Sequence, residues 1–341
     1  MLPLILGLSG PALTDHECGL IREADPAGFC LFGRNVEDPQ QLRALTDSLR
    51  DTTGRADLPI LIDQEGGRVA RLRPPHWPEF PAAADFAALY QTAPISALEA
   101  ARINGLALAN ILTEAGINVD AAPVLDLLHP GAAAVVGDRS FGAEPMQVAA
   151  LGRALLDGLA EGGVAGIVKH MPGHGRARAD SHHELPVVDA SAEELAADLA
   201  PFRALAGRAG MGMTAHLLFT AWDGQHPATL SQHIIGTIIR GEIGFDGLLM
   251  TDDIAMEALS GPLVERALSA LAAGVDLVLH CSGEAADNEA LAGALPEIDA
   301  AAKARLERAL PAASTSSVPL DELLAKRDTL LALAGGHETR D

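Results

Sequence analysis

The residues with the clearest chemical potential lie in one short segment, 169–186. It reads KHMPGHGRARADSHHELP and contains four histidines. Its glycines and prolines predict a loop. Asp180 and His182 are two residues apart, so a turn can bring the carboxylate to the imidazole. Such a pair would hold one tautomer of the ring and prepare it for proton transfer near neutral pH.

Two other interpretations of this segment remain open. A histidine-rich loop can be a solvated surface loop without a chemical role. It can also bind a metal, because His and Asp are common zinc ligands. Metal binding would favour a metal-dependent hydrolase as the alternative enzyme.

A second candidate is the pair Asp252 and Asp253, at the end of the apolar run 247–253. Successive side chains of a strand point to opposite sides, so the two carboxylates would diverge. One could act as a nucleophile or an electrostatic stabiliser. The other could cap the following helix or pair with a cation. Spacing alone does not distinguish the two.

Charged residues also follow two other apolar runs. The run 59–62 leads into DQEGGR at 63–68, and 164–168 leads into Lys169 and His170. Charged groups in such positions need partners, which predicts a charged cleft. Within it, Arg68 could form a structural ion pair with Glu65.

These candidates need a scaffold that brings many strand ends to one face. Nearly continuous apolar runs predict eight strands, at 4–8, 28–32, 59–63, within 117–126, and at 164–170, 211–219, 247–253 and 275–281. Continuous hydrophobicity is typical of parallel strands covered on both faces. Helical patterns occur at 39–50, 95–114, 145–161 and 263–273, and a further helix begins after Ser191, where Glu194 completes a capping-box pattern.

Strand–helix alternation repeated eight times favours a single-domain (β/α)8 TIM barrel, with an open doubly wound sheet as the alternative. We expect the catalytic barrel to span residues 1–310. Residues 311–341 would form a linker (311–319) and a C-terminal helix over 320–334 that packs on the barrel, followed by a frayed tail at 337–341.

Composition excludes several classes of function. The chain has 341 residues, with 24 Lys and Arg against 46 Asp and Glu, a net charge of −22. That charge argues against nucleic-acid or anionic membrane partners, which select basic surfaces. The three cysteines form no C-x-x-C pair, so neither a disulfide framework nor a thiolate metal site is expected. The sequence has no signal-peptide pattern and no long apolar span, which predicts a cytoplasmic protein, and its acidic surface favours a monomer.

Five segments together resemble the family 3 glycoside hydrolases, and within them the single-domain β-N-acetylhexosaminidases of the NagZ type. They are DQEGGRVAR at 63–71, DRSFG at 138–142, the K-H-x-P-G-H-G…D-S-H pattern at 169–182, TDDIAM at 251–256 and AGVDLV at 273–278. They occur in the order and spacing of the family over residues 5–281. The loop pattern is the most specific of the five.

The resemblance implies a retaining double displacement without metal or cofactor. Asp252 would be the nucleophile, and His182, held by Asp180, would be the general acid/base. The positions that match hydroxyl-binding residues for a non-reducing GlcNAc are Asp63, Arg71, Arg139, Lys169 and His170. The implied substrates are small GlcNAc–anhydro-N-acetylmuramyl peptides released during cell-wall recycling.

The sequence departs from the family pattern in the loop. Met171 stands where Phe is common, and Arg176 and Arg178 replace more usual acidic and Thr residues. The two arginines could attract an anionic peptide stem. A phosphorylase is an alternative within the family, because a neutral histidine repels phosphate less than a carboxylate does. A non-catalytic sugar-binding protein is a further alternative.

Overall fold

Eight parallel strands close into a barrel in the computed structural model, which describes residues 1–131, 134–311 and 318–335. The strands in chain order are β1 (Leu2–Gly7), β2 (Pro26–Leu31), β3 (Ile60–Ile62), β4 (Val119–Asp120), β5 (Ala165–Met171), β6 (Val187–Val188), β7 (Met211–Thr214), β8 (Leu218–Phe219), β9 (Leu248–Asp253) and β10 (Leu277–His280). The barrel order is β1-β10-β9-β7-β5-β4-β3-β2, and β6 pairs with β8 outside it. Each predicted strand overlaps a barrel strand, so the (β/α)8 prediction is confirmed.

Two apolar layers explain why the strands are hydrophobic on both faces. Side chains alternate along β1, so Ile5 joins the barrel interior while Leu4 and Leu6 pack against the surrounding helices. All three are essentially unexposed. Each buried aliphatic side chain of this size contributes roughly 1.5–3 kcal/mol of transfer free energy.

Helices cover the outside of the barrel. They are α1 (Asp15–Ala24), α2 (Pro39–Thr53), α3 (Ala83–Thr92), α4 (Pro94–Glu114), α5 (Pro145–Glu161), α6 (Ala192–Leu205), α7 (Leu263–Ala273), α8 (Ala285–Ala294), α9 (Ala300–Ala309) and α10 (Leu320–Leu331), with a π-helix at Ile234–Glu242. The predicted helices α2, α4, α5, α6, α7 and α10 are all present. The others were not singled out from the sequence. Ser191 and Glu194 form the predicted capping box at the start of α6.

One predicted strand, 211–219, divides into two. The barrel ladder ends at Thr214, which is paired with Met171. The chain then leaves the barrel, and the Leu218 N–H donates to the carbonyl of Pro186. The second half therefore becomes β8, paired with β6 near the predicted catalytic loop. Apolar continuity could not reveal this exchange of partners.

The C-terminal helix α10 packs on α4. Lys326 Nζ lies 2.8 Å from Glu99 Oε1, and Arg327 Nη1 donates to Asn104 Oδ1 at 3.2 Å. Both acceptors belong to α4. Of the predicted linker, residues 312–317 lie outside the described part of the chain, as does the tail at 337–341. Within the described ranges, no helix combines the length and hydrophobicity needed to cross a bilayer.

Candidate active site

The carboxyl ends of the barrel strands surround a cavity of about 480 Å³. This volume is within the range of roughly 300–1,000 Å³ that is usual for small-ligand sites. The cavity lining includes every site residue predicted from the sequence: Asp63, Arg71, Arg139, Lys169, His170, Asp180, His182 and Asp252. They come from the ends of β3, β5 and β9 and from the loops that follow β3, β4 and β5, an arrangement that is common in barrel enzymes.

A charged network occupies one wall of the cavity, with Glu65 at its centre. Arg139 donates to both carboxylate oxygens of Glu65, at 2.7 and 2.8 Å. Lys169 Nζ lies 2.6 Å from Glu65 and 3.0 Å from Asp63. Arg71 Nη2 donates to the second oxygen of Asp63 at 2.9 Å. Each charge therefore has at least one fixed partner before any ligand binds.

In this network burial disfavours the charged form of each group, neighbouring opposite charges favour it, and the second effect is the larger. Burial disfavours ionisation of Asp63, but Lys169 and Arg71 hold the pKa of that carboxyl well below its usual value. Burial likewise disfavours the Lys169 ammonium, and the adjacent Asp63 and Glu65 carboxylates nevertheless raise its pKa. The wall thus presents permanently charged groups at neutral pH, suited to hydrogen bonds with sugar hydroxyls.

A second carboxylate, Asp126, holds the start of the loop. Its Oδ2 lies 2.7 Å from His170 Nδ1, and its Oδ1 accepts the backbone N–H groups of His170 (3.2 Å) and His174 (2.7 Å). Burial opposes the ionisation of Asp126, but these contacts, chiefly to His170, lower its pKa to about 2. Asp126 therefore orients the imidazole of His170 towards the cavity.

Sequence reasoning missed Glu65 as a hub and Asp126 altogether. Asp126 ends the predicted fourth strand segment, so the rule that strand ends carry function would have found it. Glu65 was considered only as a partner of Arg68. The predicted Arg68–Glu65 pairing is wrong. Arg68 Nε donates to Asp138 at 2.6 Å, and Arg139 donates to Glu65 instead. The loop that carries Asp138 and Arg139 decides this, and its path is not encoded in local spacing.

The predicted Asp180–His182 pair is formed in the structure. His182 Nδ1 lies 2.7 Å from Asp180 Oδ1, which also accepts the His182 backbone N–H at 3.0 Å. Among the residues that the structure describes, Nε2 of His182 has no hydrogen-bond partner, so it is available for a ligand. The base of the loop is fixed by close packing, because a Cβ at Gly175 would lie 1.9 Å from the carbonyl oxygen of Leu127. Only glycine fits at that position.

Asp252 and Asp253 have different surroundings, although they are neighbours. The Oδ1 atom of Asp253 accepts the backbone N–H groups of Ala255 (3.0 Å) and Cys281 (3.2 Å), which makes it a structural clamp. Both side chains line the cavity, but among the described residues Asp252 accepts a hydrogen bond only from the N–H of Asp253, at 2.8 Å. Burial opposes its ionisation, but His170, His216 and this N–H keep the pKa of Asp252 below its usual value. Asp252 is thus an available carboxylate.

His216 supports the same strand end. Its Nδ1 lies 2.7 Å from the hydroxyl of Thr229, and its Nε2 lies 3.0 Å from the carbonyl oxygen of Asp253. Burial lowers the pKa of His216, so a neutral ring that donates from Nε2 satisfies both contacts. We interpret His216 as structural support for Asp253.

The floor of the cavity is apolar and sulfur-containing. Leu61, Ala121, Met213 and Leu279 line it, together with the free thiols of Cys30 and Cys281. Across the described ranges, no three His, Cys, Asp or Glu side chains are arranged to hold a metal ion. An ionised carboxylate and an imidazole on one polar cavity are the groups required for nucleophilic and acid/base catalysis.

Comparisons with known proteins agree with this geometry. The Glycosyl hydrolase family 3 N terminal domain matches residues 9–311. A Beta-hexosaminidase of Alkalilimnicola ehrlichii is 41% identical over 310 residues, which cover 90% of this chain and 88% of that protein. A Beta-hexosaminidase of Thiobacillus denitrificans is 38% identical, covering 98% of this chain and 93% of the relative.

A solved structure shows the same architecture. NagZ from Neisseria gonorrhoeae, in complex with N-trifluoroacetyl-D-glucosamine, superposes with a TM-score of 0.86 at 32% identity. The match covers 97% of this chain and 98% of that one. Similarity therefore extends over nearly the whole of both chains.

Proposed function

The chain belongs to glycosyl hydrolase family 3 and is a glycoside hydrolase of the β-N-acetylhexosaminidase type, and we propose that it is a retaining exo-β-N-acetylglucosaminidase. Its substrates would be GlcNAc–anhydro-N-acetylmuramyl peptides from peptidoglycan, and its role cell-wall recycling in the cytoplasm. The observation that carries the proposal is that Asp252 and the Asp180–His182 pair line one cavity.

In the first step, Asp252 attacks the anomeric carbon and forms a covalent glycosyl-enzyme ester. His182, protonated at Nε2, gives that proton to the glycosidic oxygen as the bond to the aglycone breaks. Asp180 accepts a hydrogen bond from the Nδ1–H of His182 and so stabilises the imidazolium that donates the Nε2 proton. The lowered pKa of Asp252 keeps the nucleophile ionised.

In the second step, His182 is neutral and takes a proton from water. The resulting hydroxide equivalent attacks the anomeric carbon from the face that the aglycone left. The ester bond to Asp252 breaks, GlcNAc leaves with retained configuration, and both side chains return to their starting states.

The charged wall supports the assignment of the sugar site. All five predicted sugar-binding residues line the cavity. Glu65 holds Lys169 and Arg139, Asp126 holds His170, and Asp63 pairs with Lys169 and Arg71. A site built from such groups discriminates strongly, because a sugar that lacks the matching hydroxyl leaves buried polar atoms unpaired.

The loop supports an anionic aglycone. Arg176 is committed to Asp198, at 2.6 Å, and to the carbonyl of Glu194. Arg178 is exposed and contacts no acidic side chain in the described ranges. Its charge is therefore free to attract the carboxylates of a peptide stem. We propose that the enzyme acts as a monomer on such small molecules.

The test is hydrolysis of para-nitrophenyl β-N-acetylglucosaminide, without added metal, by wild type, Asp252→Asn and His182→Ala. We expect wild-type turnover, a loss of about 10³-fold or more in Asp252→Asn, and a fall of about 10²–10⁴-fold in the kcat of His182→Ala, which lacks the general base for the second step. Product anomers followed by NMR should show β-GlcNAc first.

The matched control is Asp253→Asn, the same chemical change one residue away. Asparagine can still accept the two N–H groups through its carbonyl oxygen, so activity should stay close to that of wild type. Equal losses in both Asp variants, or α-GlcNAc as the first product, would contradict the proposed mechanism.

A further inference from the structure

Ser181 separates the two members of the proposed acid/base pair and is buried where they are exposed. The side chains of His182 and Asp180 are 58% and 37% exposed, whereas Ser181 is only 3% exposed. A buried hydroxyl between two exposed polar residues needs partners in the protein. The partners of Ser181 therefore determine where the pair is held.

Ser181 is attached to two separate parts of the barrel mouth. Its Oγ lies 3.2 Å from Nε2 of His174, at the base of the same loop. Its carbonyl oxygen accepts the backbone N–H of Ala258 at 3.3 Å, in the segment that follows β9. The middle of the pair is thus tied to the segment after the nucleophile strand as well as to the loop base.

His174 continues the connection towards the sugar site. Its backbone N–H donates to Asp126, whose other carboxylate oxygen holds His170. The rings of His170 and His174 also pack edge to face, with centroids 5.6 Å apart. One continuous series of contacts therefore runs from His170, through Asp126 and His174, to Ser181.

The hydrogen-bond pattern favours a single direction for the His174–Ser181 contact. Burial and the neighbouring His170 lower the pKa of His174 to about 4, so the ring is neutral at pH 7. Its Nδ1 is buried and has no partner in the described residues. An unpartnered acceptor occurs more readily than an unpartnered N–H. We therefore place the ring proton on Nε2, where it is donated to Ser181 Oγ.

We propose that Ser181 is a positioning residue, which holds the Asp180–His182 pair so that Nε2 of His182 faces the glycosidic oxygen. It acts through its contact with His174 and takes no part in bond making. This inference rests on the proposed function, since it requires His182 to be the acid/base. In the D-S-H pattern, Ser181 would therefore position the pair, whereas His182, held by Asp180, would carry out proton transfer.

The test compares Ser181→Ala with wild type and His182→Ala on two substrates that differ in their need for a proton. The 2,4-dinitrophenyl glycoside of GlcNAc has a leaving group that departs without protonation, whereas the GlcNAc-β-1,4-GlcNAc disaccharide requires it. We expect kcat/KM of Ser181→Ala to fall about 10–100-fold on the disaccharide and to stay within about threefold on the activated glycoside.

A second readout uses sodium azide, an anionic nucleophile that needs no general base. Attack of azide on the glycosyl-enzyme forms a carbon–nitrogen bond, breaks the ester to Asp252 and gives the β-glycosyl azide. Azide should accelerate turnover of the activated glycoside in His182→Ala, and to a smaller extent in Ser181→Ala. Wild type should respond least.

The control for a purely structural effect is Ser231→Ala. Ser231 is also buried, 1% exposed, and bonds to Asp223 and to the N–H of Ile234 away from the cavity. We expect it to lower Tm without changing the ratio of kcat/KM for the two substrates. If Ser181→Ala does not fold, His174→Phe removes the same contact from the other side and should give the same ratio.

The outcomes separate the two levels of the proposal. The positioning role would be overturned if Ser181→Ala lost the same factor in kcat/KM on both substrates and showed no azide effect. In that case His182→Ala would still show its dependence on the leaving group. A His182→Ala variant that lacks this dependence would overturn the acid/base assignment, and the role of Ser181 with it.

Discussion

At the scale of single residues, the role of each carboxylate in the site depends on whether its oxygens already have hydrogen-bond or ion-pair partners within the protein. Asp253 gives one carboxylate oxygen to two backbone N–H groups, whereas Asp252 accepts one and remains available. Glu65 is used completely, by Arg139 on both oxygens and by Lys169. Availability, rather than residue type, separates the proposed nucleophile from structural carboxylates.

We predict that Glu65→Gln lowers kcat/KM by about 10–100-fold, chiefly by raising KM. The substitution removes the charge that compensates Lys169 and Arg139, and breaking a buried ion pair from one side costs about 3–5 kcal/mol of stability. Steady-state kinetics with para-nitrophenyl β-N-acetylglucosaminide and urea unfolding measure the two effects.

Glu99 provides a matched control for that prediction. It also binds one arginine through both oxygens, Arg102, and one lysine, Lys326, but at the surface. Exposed ion pairs contribute about 0–1 kcal/mol, so Glu99→Gln should leave KM unchanged and reduce stability only slightly. Similar KM values for Glu65→Gln and Glu99→Gln would refute a role of Glu65 in ordering the sugar site.

At the scale of elements, the loop after β5 combines a fixed base with an exposed tip. Gly175 packs against the backbone of Leu127, and His174 and Ser181 are buried. The tip exposes Arg178 and His182. Such an arrangement would place the proposed acid/base group, His182, at the solvent side of the cavity, where the proposed aglycone would enter and leave.

The buried loop base predicts a loss of stability in mild acid. The unfolded chain protonates His174 below about pH 6.5, whereas the folded protein, in which burial and His170 lower that pKa, resists protonation until about pH 4. The contribution of His174 to the free energy of unfolding is therefore present above pH 6.5 and is lost as the pH falls towards 4. At pH 5.5 the loss is about 1 kcal/mol.

Urea unfolding at pH 7.0 and pH 5.5 measures this effect. The fall in unfolding free energy should be about 1 kcal/mol smaller in His174→Gln than in wild type. Part of the fall should persist, because burial also lowers the pKa of His216 and His280. A His174→Gln variant that keeps the wild-type difference between the two pH values would contradict the prediction.

At the scale of the whole molecule, barrel closure brings together residues that are nearly 190 positions apart in the chain, from Asp63 to Asp252. Parallel strands present all their carboxyl ends on one face, so each loop there can contribute to one cavity. The strand ends and the loops, supported by the helices outside, therefore supply a complete proposed site within a single domain.

We predict that activity is independent of metal and that water is the acceptor. Prolonged treatment with EDTA followed by gel filtration should leave kcat unchanged. In phosphate buffer the product should be free GlcNAc, since the proposed mechanism delivers water through His182. Recovery of a lost activity by zinc would favour the metal-dependent hydrolase, and GlcNAc-1-phosphate among the products would favour the phosphorylase. Mass spectrometry distinguishes free GlcNAc from GlcNAc-1-phosphate.

Much of this architecture was predictable because it depends on local pattern. Continuous apolar runs identified all eight barrel strands, and the capping box located the start of α6. The two-residue spacing of Asp180 and His182 was sufficient to predict their contact, because a short turn constrains both ends. The division of 211–219 between β7 and β8 was not predictable, since both halves are equally apolar.

The sequence by itself determined the barrel, its strand ends and the residue types that gather there, because periodicity and spacing are local properties of the chain. Only the tertiary structure decided the partners: Glu65 with Arg139 rather than Arg68, Asp126 beneath His170, and Asp253 as a clamp. These contacts join residues that are distant in sequence, and their geometry follows from barrel closure and loop packing. Hydrogen bonds and ion pairs act over a few ångströms, so only the folded chain specifies which charges meet.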